Sequence, residues 1–398
     1  MEDLGIFQFL GRMPNPRGET ARRPFVLVLS SSGGAGHVRA GEALRQAAQG
    51  VPGGLRCEHR DCLDFTTPLF KKLYAGSYLK LVNRAPELWG YLYALSEGQS
   101  IRKKLTLKIF DHFNYQRYLA ALQKLNPDAI VCTHFLPFRA VSESLRRSGV
   151  TAPVFAATTD VDVHNYWIDP VVDRYYVFHE ESAWQLSAKG VSPDRIRVLG
   201  IPISPEFAHG ISKPRARADL GVERKRFTIL LMSGGFGVGS MAELVSHTAA
   251  VLAGQSGTAF TLLVVCGNNA GARSVIDGMT FGANVDVRVY GFVDTIRVMM
   301  AASDLLVSKA GGLTSAEAMA SGLPMIMVNP IPGQEMRNAD LLVEHQAGWK
   351  ALNLSHFQYK LSQVLLEGEL LEHARLATKR LAKPSAARKI LADVLASL

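Results

Sequence analysis

The stretch SDLLVSKAGGLTSAEAMASGLPMIMVNPIPGQEMRN, Ser303 to Asn338, decides how the rest of the chain is read. Its run from Asp304 to Ser308 has the length and apolar character of a short buried strand. It leads into Lys309, Ala310, Gly311 and Gly312, where paired glycines allow a sharp turn and close approach of the backbone to a ligand. Thr314 stands where a helix N-cap would, with Glu317 at capping-box spacing. Gly322 and Pro324 predict the helix end before a second apolar strand, Met325 to Val328. A polar loop ending in Gln334 and Glu335 follows, at the carboxyl end of that strand, where open α/β sheets place ligands. Strand, glycine turn, helix and strand make half of a nucleotide-binding crevice, suited to a ligand with phosphates and hydroxyl groups. Spacing alone leaves Glu317 two readings, a capping carboxylate or a ligand contact.

The same unit occurs twice more. FTILLMSGGFGVGSMAELVSHTAAVLA, from Phe227, runs strand, glycine-rich turn, helix, and FVLVL, Phe25 to Leu29, passes through SSSGGAGH into the amphipathic VRAGEALRQAA. Architecture repeated without sequence repetition indicates two similar α/β domains. The glycines from Gly234 to Gly239 form no clean GxGxxG, and no acidic ribose anchor follows, which counts against a nicotinamide enzyme. The first loop closes on His37 at a helix start. The positive end of the helix dipole disfavours its imidazolium, so the ring is expected neutral and able to accept a proton, unless it merely caps the helix. Buried strands in NPDAIVCT and PVFAATTD deliver His134 and Asp160 at their ends, Asp160 being open to reading as a cap.

At 398 residues, 47% hydrophobic and 20% charged, the chain has room for two domains of roughly 100 to 200 residues each. Residues 1–23 read as a loose tail and a poor secretory signal, 24–207 as an N-terminal domain, and 208–398 as a C-terminal domain. Pro202, Pro205 and the charged KPRARADLGVERKR mark the linker near Phe207, and Pro384 would bend a last helix that could cross back to the first domain. Cys57, Cys62, Cys132 and Cys266 lack metal or disulfide spacing, so a reducing cytoplasm fits. No run approaches the roughly 20 apolar residues of a membrane-spanning helix, so any bilayer is met from its surface.

Charge is unevenly distributed. Of the net +9, much falls between Thr66 and Tyr118, where nine lysines and arginines face three acids. There Lys71, Lys72, Lys103 and Lys104 are interleaved with aromatics such as Tyr74 and Trp89, a mixture suited to the headgroup boundary of an anionic membrane. The alternatives are an aromatic core with a solvated basic face, or nucleic acid, for which no recognised module accompanies the charge.

The block SKAGGLTSAEAMASGLPMIMVNPIPGQEMRNADLLVEHQAG resembles the donor-binding segment of glycosyltransferases that make glycosyldiacylglycerols. These are the monogalactosyldiacylglycerol synthases and processive diacylglycerol glucosyltransferases, relatives of the enzyme that adds N-acetylglucosamine to lipid I. The resemblance runs from about Phe25 to about Gly348. It includes a GGxGH loop ending at His37 and a TDxxxHxxW signature with Asp160, His164 and Trp167. It implies an α/β fold of the GT-B type, two facing Rossmann-like domains with a cleft between them, working without cofactor or metal. It implies inverting transfer of glucose or galactose from a UDP-sugar to diacylglycerol, by a peripheral protein on the cytoplasmic face of the membrane.

By the same resemblance His37 is the expected base, with Asp160 near the acceptor. Glu317 is expected on the ribose hydroxyls, Gln334 and Glu335 on the hexose, and Gly291 and Phe292 at the uracil, though Phe292 also reads as plain core. The diphosphate falls to the backbone near Ser233, Gly234 and Gly235 and near Gly311, Gly312, Leu313 and Thr314. Lys71, Lys72, Tyr74, Trp89, Lys103, Lys104 and His164 are the acceptor and membrane candidates, and nucleic acid is not expected as a partner. Ala35 and Ala310 depart from common family forms and blur the subgroup. A lipid I transferase and a non-catalytic UDP-sugar sensor remain as alternatives.

Overall fold

The computed structural model describes residues 22–72, 112–232, 241–294 and 296–398. The chain divides into two compact units, one holding residues up to Pro205 together with Ser385–Leu398, the other Glu206–Pro384. The division thus falls close to the sequence-based boundary at Phe207, while the last residues belong with the first unit.

The first unit carries a six-stranded parallel sheet in the order β2-β1-β3-β4-β5-β6. Its strands are β1 (Phe25–Ser30), β2 (Arg56–Asp61), β3 (Ala129–Cys132), β4 (Val154–Ala157), β5 (Arg174–Val177) and β6 (Ile196–Val198). β1 is buried throughout because both of its faces are covered, which is why it reads as a continuous apolar run. Phe25, Leu27 and Leu29 pack with Tyr118, Leu122 and Trp167. Val26 and Val28, on the alternate face, pack with Ala43, Leu44 and Ala47 of the helix Ala35–Ala48 and with Ile390, Leu391 and Val394. Those last three belong to the helix Ala386–Leu395, which is how the chain end joins this unit. Asp393 fastens it, accepting from Tyr176 Oη at 2.8 Å and pairing with Arg174 at 2.5 Å. β2, RCEHRD, is polar because it is the sheet edge.

The second unit repeats the plan in the order β12-β11-β10-β7-β8-β9, again all parallel. Its strands are β7 (Phe227–Met232), β8 (Phe260–Val265), β9 (Val285–Tyr290), β10 (Leu305–Ser308), β11 (Met325–Val328) and β12 (Gly348–Ala351). A Cβ on Gly348 would lie 2.4 Å from the Met325 carbonyl oxygen, so only glycine lets β12 close on β11. Asp304 fixes the start of β10, accepting from the Thr228 amide at 2.8 Å and pairing with Arg217 at 2.7 Å and Lys213 at 2.6 Å.

Both strand orders reverse direction once, between β1 and β3 in the first sheet and between β7 and β10 in the second. Connections leave such a point in opposite directions and open a crevice at the carboxyl ends of the two strands. The loop leading to the helix that bears His37 follows β1, and the turn Lys309–Gly311 follows β10. Among the described residues no helix is long and apolar enough to cross a membrane.

Candidate active site

In the first unit the site is built around His37, in the first turn of the helix Ala35–Ala48. The N-cap of that helix is Gly34, which offers no side chain, and the imidazole makes no capping hydrogen bond but points its Nδ1 at the residues that follow β3 and β4. Its Nδ1 lies 2.9 Å from the Thr133 carbonyl oxygen and 2.8 Å from Thr159 Oγ1. The capping alternative is therefore excluded. A carbonyl oxygen can only accept, so Nδ1 carries the proton and the Nε2 lone pair is left to accept one. Burial lowers the pKa of His37, while the charge of Asp160 and the Thr133 carbonyl oppose that shift. Burial is the largest cause of this lowering, which favours the neutral ring.

His134 meets the His37 ring edge to face, with centroids 4.4 Å apart. Its Nδ1 accepts the Leu136 amide at 3.0 Å, and burial together with His37 holds its pKa well below the usual histidine value. Asp160 lies in the bend after β4 and does not cap the helix that follows. That short 3-10 turn, Asn165–Trp167, is capped by His164, whose Nδ1 accepts from the Tyr166 amide at 3.0 Å. His164, expected on the acceptor side, is thus a buried capping residue, and Trp167 is core.

In the second unit the helix after β10 spans Gly312–Ala320, and its N-cap is Gly311. Thr314 therefore lies inside the first turn, and the expected capping box is not formed. Backbone alone turns the chain at Gly311, displacing the threonine by three positions. With the capping role gone, Glu317 is a carboxylate in the middle of the helix, 2% exposed. The conformation of Gly311, φ −67 and ψ 140, suits any residue, and a Cβ there would meet nothing nearer than Thr314 Oγ1 at 4.0 Å. Neither backbone strain nor packing asks for glycine there. What glycine supplies is bare backbone at a helix start, open to a ligand.

Gln334 and Glu335 do not end a loop. They begin the helix Gln334–Glu344, after Gly333 turns the chain at φ 98, and Glu335 accepts the Ile331 amide at 2.9 Å. Asn338 on that helix is fully buried and donates to the Ala310 carbonyl at 2.9 Å, joining it to the glycine turn. Lys309, in the same turn, is 9% exposed, and burial lowers its pKa against the opposing charge of Glu335. Gly291 and Phe292 follow β9 directly. Phe292 is 70% exposed, which excludes its reading as core.

Ser233, Gly234, Gly235, Tyr74, Trp89, Lys103 and Lys104 lie outside the described residues. Lys72 is exposed, whereas Lys71 is held by Asp64 at 2.5 Å and Asp61 at 3.4 Å. Among the described residues no group of three or more His, Cys, Asp or Glu is placed to hold a metal ion. Thr133 carries no motif of its own. Thr159 is the threonine of the TDxxxHxxW signature, and Lys309 and Asn338 lie within the glycine-turn block, but nothing in those motifs singles them out.

Two Rossmann-like sheets, each with a polar constellation at its switch point, define an α/β protein of the GT-B type. Solved structures agree on the fold. MurG of Acinetobacter baumannii matches with a TM-score of 0.58 at 14% identity, covering 94% of this chain and 100% of that one. The UDP-GlcNAc 2-epimerase of Neisseria meningitidis, bound to UDP-GlcNAc, matches at 0.60 and 13%, covering 94% and 100%. A transferase and an epimerase share this fold, so it does not choose the reaction.

Sequence comparison narrows the choice. The family model for monogalactosyldiacylglycerol (MGDG) synthase matches residues 37–203, and that for the glycosyltransferase family 28 C-terminal domain matches 228–394. The processive diacylglycerol beta-glucosyltransferase of Bacillus pumilus (strain SAFR-032) is 26% identical over 375 residues, 93% of this chain and 94% of its own length. Its counterpart in Bacillus cereus (strain AH187) is 27% identical over 379 residues, 94% of each. The chain belongs to this family of glycosyldiacylglycerol-synthesising glycosyltransferases.

Proposed function

We propose that the protein transfers a hexose from a UDP-sugar to diacylglycerol at a membrane surface, with inversion at the anomeric carbon. The observation that carries the chemistry is the fixed tautomer of His37, whose Nδ1 faces a main-chain carbonyl so that Nε2 presents a lone pair. Nε2 takes the proton of the lipid hydroxyl as its oxygen bonds to the anomeric carbon. The bond from that carbon to the diphosphate oxygen breaks, and UDP leaves with the electron pair. A positioned base of this kind contributes about 100- to 10,000-fold.

Charge gathering on the departing UDP falls to the backbone amides of Gly311 to Thr314 and to the buried ammonium of Lys309, both effective because they are preorganised and sheltered from water. Glu317 is assigned the ribose hydroxyls, Phe292 and Gly291 the uracil, and Gln334 with Glu335 the hexose. The basic segment that includes Lys72 is assigned to an anionic lipid surface.

The deciding experiment incubates the protein with labelled UDP-glucose or UDP-galactose and diacylglycerol vesicles, then separates the lipids. Label in a glycosyldiacylglycerol is the expected result. Label in no lipid with either donor would overturn the proposal.

A further inference from the structure

We infer that Thr159 is a positioning residue for the proton transfer, its hydroxyl and the Thr133 carbonyl together locking the His37 ring with Nε2 toward the acceptor. The inference rests on His37 acting as the base, and goes beyond it by naming what holds that base.

The geometry is over-determined. Thr133 grips His37 twice, its carbonyl taking Nδ1 at 2.9 Å and its hydroxyl donating to the His37 main-chain carbonyl at 2.8 Å. Thr159 Oγ1 approaches the same Nδ1 at 2.8 Å from the bend after the neighbouring strand. Since the Thr133 carbonyl requires a proton on Nδ1, Thr159 is a second acceptor of that proton, and its own hydroxyl proton points away from the ring. Both threonines are buried, at 0% and 3% exposure, and both are β-branched, so their rotamers are few. They stand just past the ends of β3 and β4, which are hydrogen-bonded neighbours. The two oxygens are therefore carried on the short bends that leave two adjacent strands.

The consequence is chemical. Before transfer Nδ1–H donates from a neutral ring. After Nε2 has taken the acceptor proton, it donates from a cation, and such charge-assisted bonds are roughly twice as strong. The Thr159 contact therefore strengthens along the reaction, which assigns it to turnover and not to donor binding. Asp160 and His134 are the other titratable groups around the ring. Asp160 favours the cation and His134, held neutral by burial, does not compete for the proton.

The test compares Thr159→Val, Thr159→Ser and His37→Ala, measuring kcat with both substrates saturating, UDP affinity and the pH–rate profile. Thr159→Val should lower kcat by about ten- to 100-fold, the scale on which a loosened catalytic group loses rate, with UDP affinity unchanged. Its acid limb should move to lower pH, because the imidazolium has lost an acceptor. Thr159→Ser, which keeps the hydroxyl, should recover most of the rate. Should the valine variant not fold, Thr159→Ala carries the same expectation without the added methyl. Parental kcat and an unmoved profile in the hydroxyl-free variants, with His37→Ala inactive, would overturn this inference while leaving His37 as the base. A fully active His37→Ala would overturn both.

Discussion

The Asn338 side-chain amide donates to the Ala310 carbonyl at 2.9 Å in a fully buried setting, tying the helix that begins at Gln334 to the glycine turn after β10. Two segments assigned to different parts of one donor are thus tied to each other by this bond. Asn338→Ala leaves a buried carbonyl without that donor and should cost about 1–3 kcal/mol of stability. UDP affinity should fall with it, because the turn is no longer held. A melting curve and calorimetry check both, and a variant unchanged in each would show that the bond holds nothing.

Glu317 should act through the donor. Its cap role is excluded by Gly311, so the 0.5–2 kcal/mol that a lost cap costs (about 1 typically) should not appear as a cap effect in Glu317→Gln, which keeps the side-chain volume. UDP binding should weaken by about 1.5–3 kcal/mol, the range for hydrogen bonds to a charged group, which is about ten- to 150-fold. Unchanged UDP affinity with a lowered melting point would return Glu317 to a structural role.

Why Glu317 was ambiguous in the sequence shows what a sequence carries. β11 is legible to the residue, because Gly322, Pro324 and an unbroken apolar run mark it locally. The N-cap was misplaced because a glycine can start a helix on backbone geometry alone, leaving Thr314 as a decoy. Gln334 and Glu335 looked like loop because the positive φ at Gly333, which begins their helix, has no side-chain signature. The hold of Thr133 and Thr159 on His37 spans 96 and 122 residues and depends on which strands are neighbours, so no local pattern contains it. Motifs thus gave the reactive groups, and only the folded sheets gave what positions them.

Phe292 separates packing from recognition cleanly. At 70% exposure its replacement by alanine should change stability by no more than about 0.5 kcal/mol. If the ring stacks on uracil, UDP binding should weaken by about 0.5–1.5 kcal/mol, the worth of an aromatic pair, while inorganic diphosphate binding is unaffected. Equal effects on UDP and diphosphate, or none on either, would remove Phe292 from the base pocket.

The basic segment should govern vesicle attachment unequally. Each cation near an anionic surface contributes about 1 kcal/mol, but Lys71 is already engaged by Asp64 and Asp61. Replacing Lys72, Lys103 and Lys104 with glutamine should release the protein from anionic vesicles, and adding Lys71→Gln should change little. Flotation that ignores the triple change would refute the assignment.

His37 should be needed for turnover and not for donor binding. Its imidazole must be neutral to accept a proton, and burial sets its pKa below 6.5. Above that lowered value the base is available, and as pH falls through it the ring protonates and kcat should decline. His37→Ala should lose at least about 100-fold in kcat while binding UDP like the parent. Gly34→Ala tests the same edge without touching the ring. The backbone at Gly34, φ −153 and ψ 132, accepts alanine, but the added Cβ would stand 3.0 Å from His37 Cδ2 and 3.5 Å from Nε2. It should therefore lower kcat by crowding the atom that must meet the lipid hydroxyl, again with UDP affinity unchanged. Near-normal turnover in His37→Ala, with both substrates saturating, would place the base elsewhere, and Asp160 would be the next residue to replace.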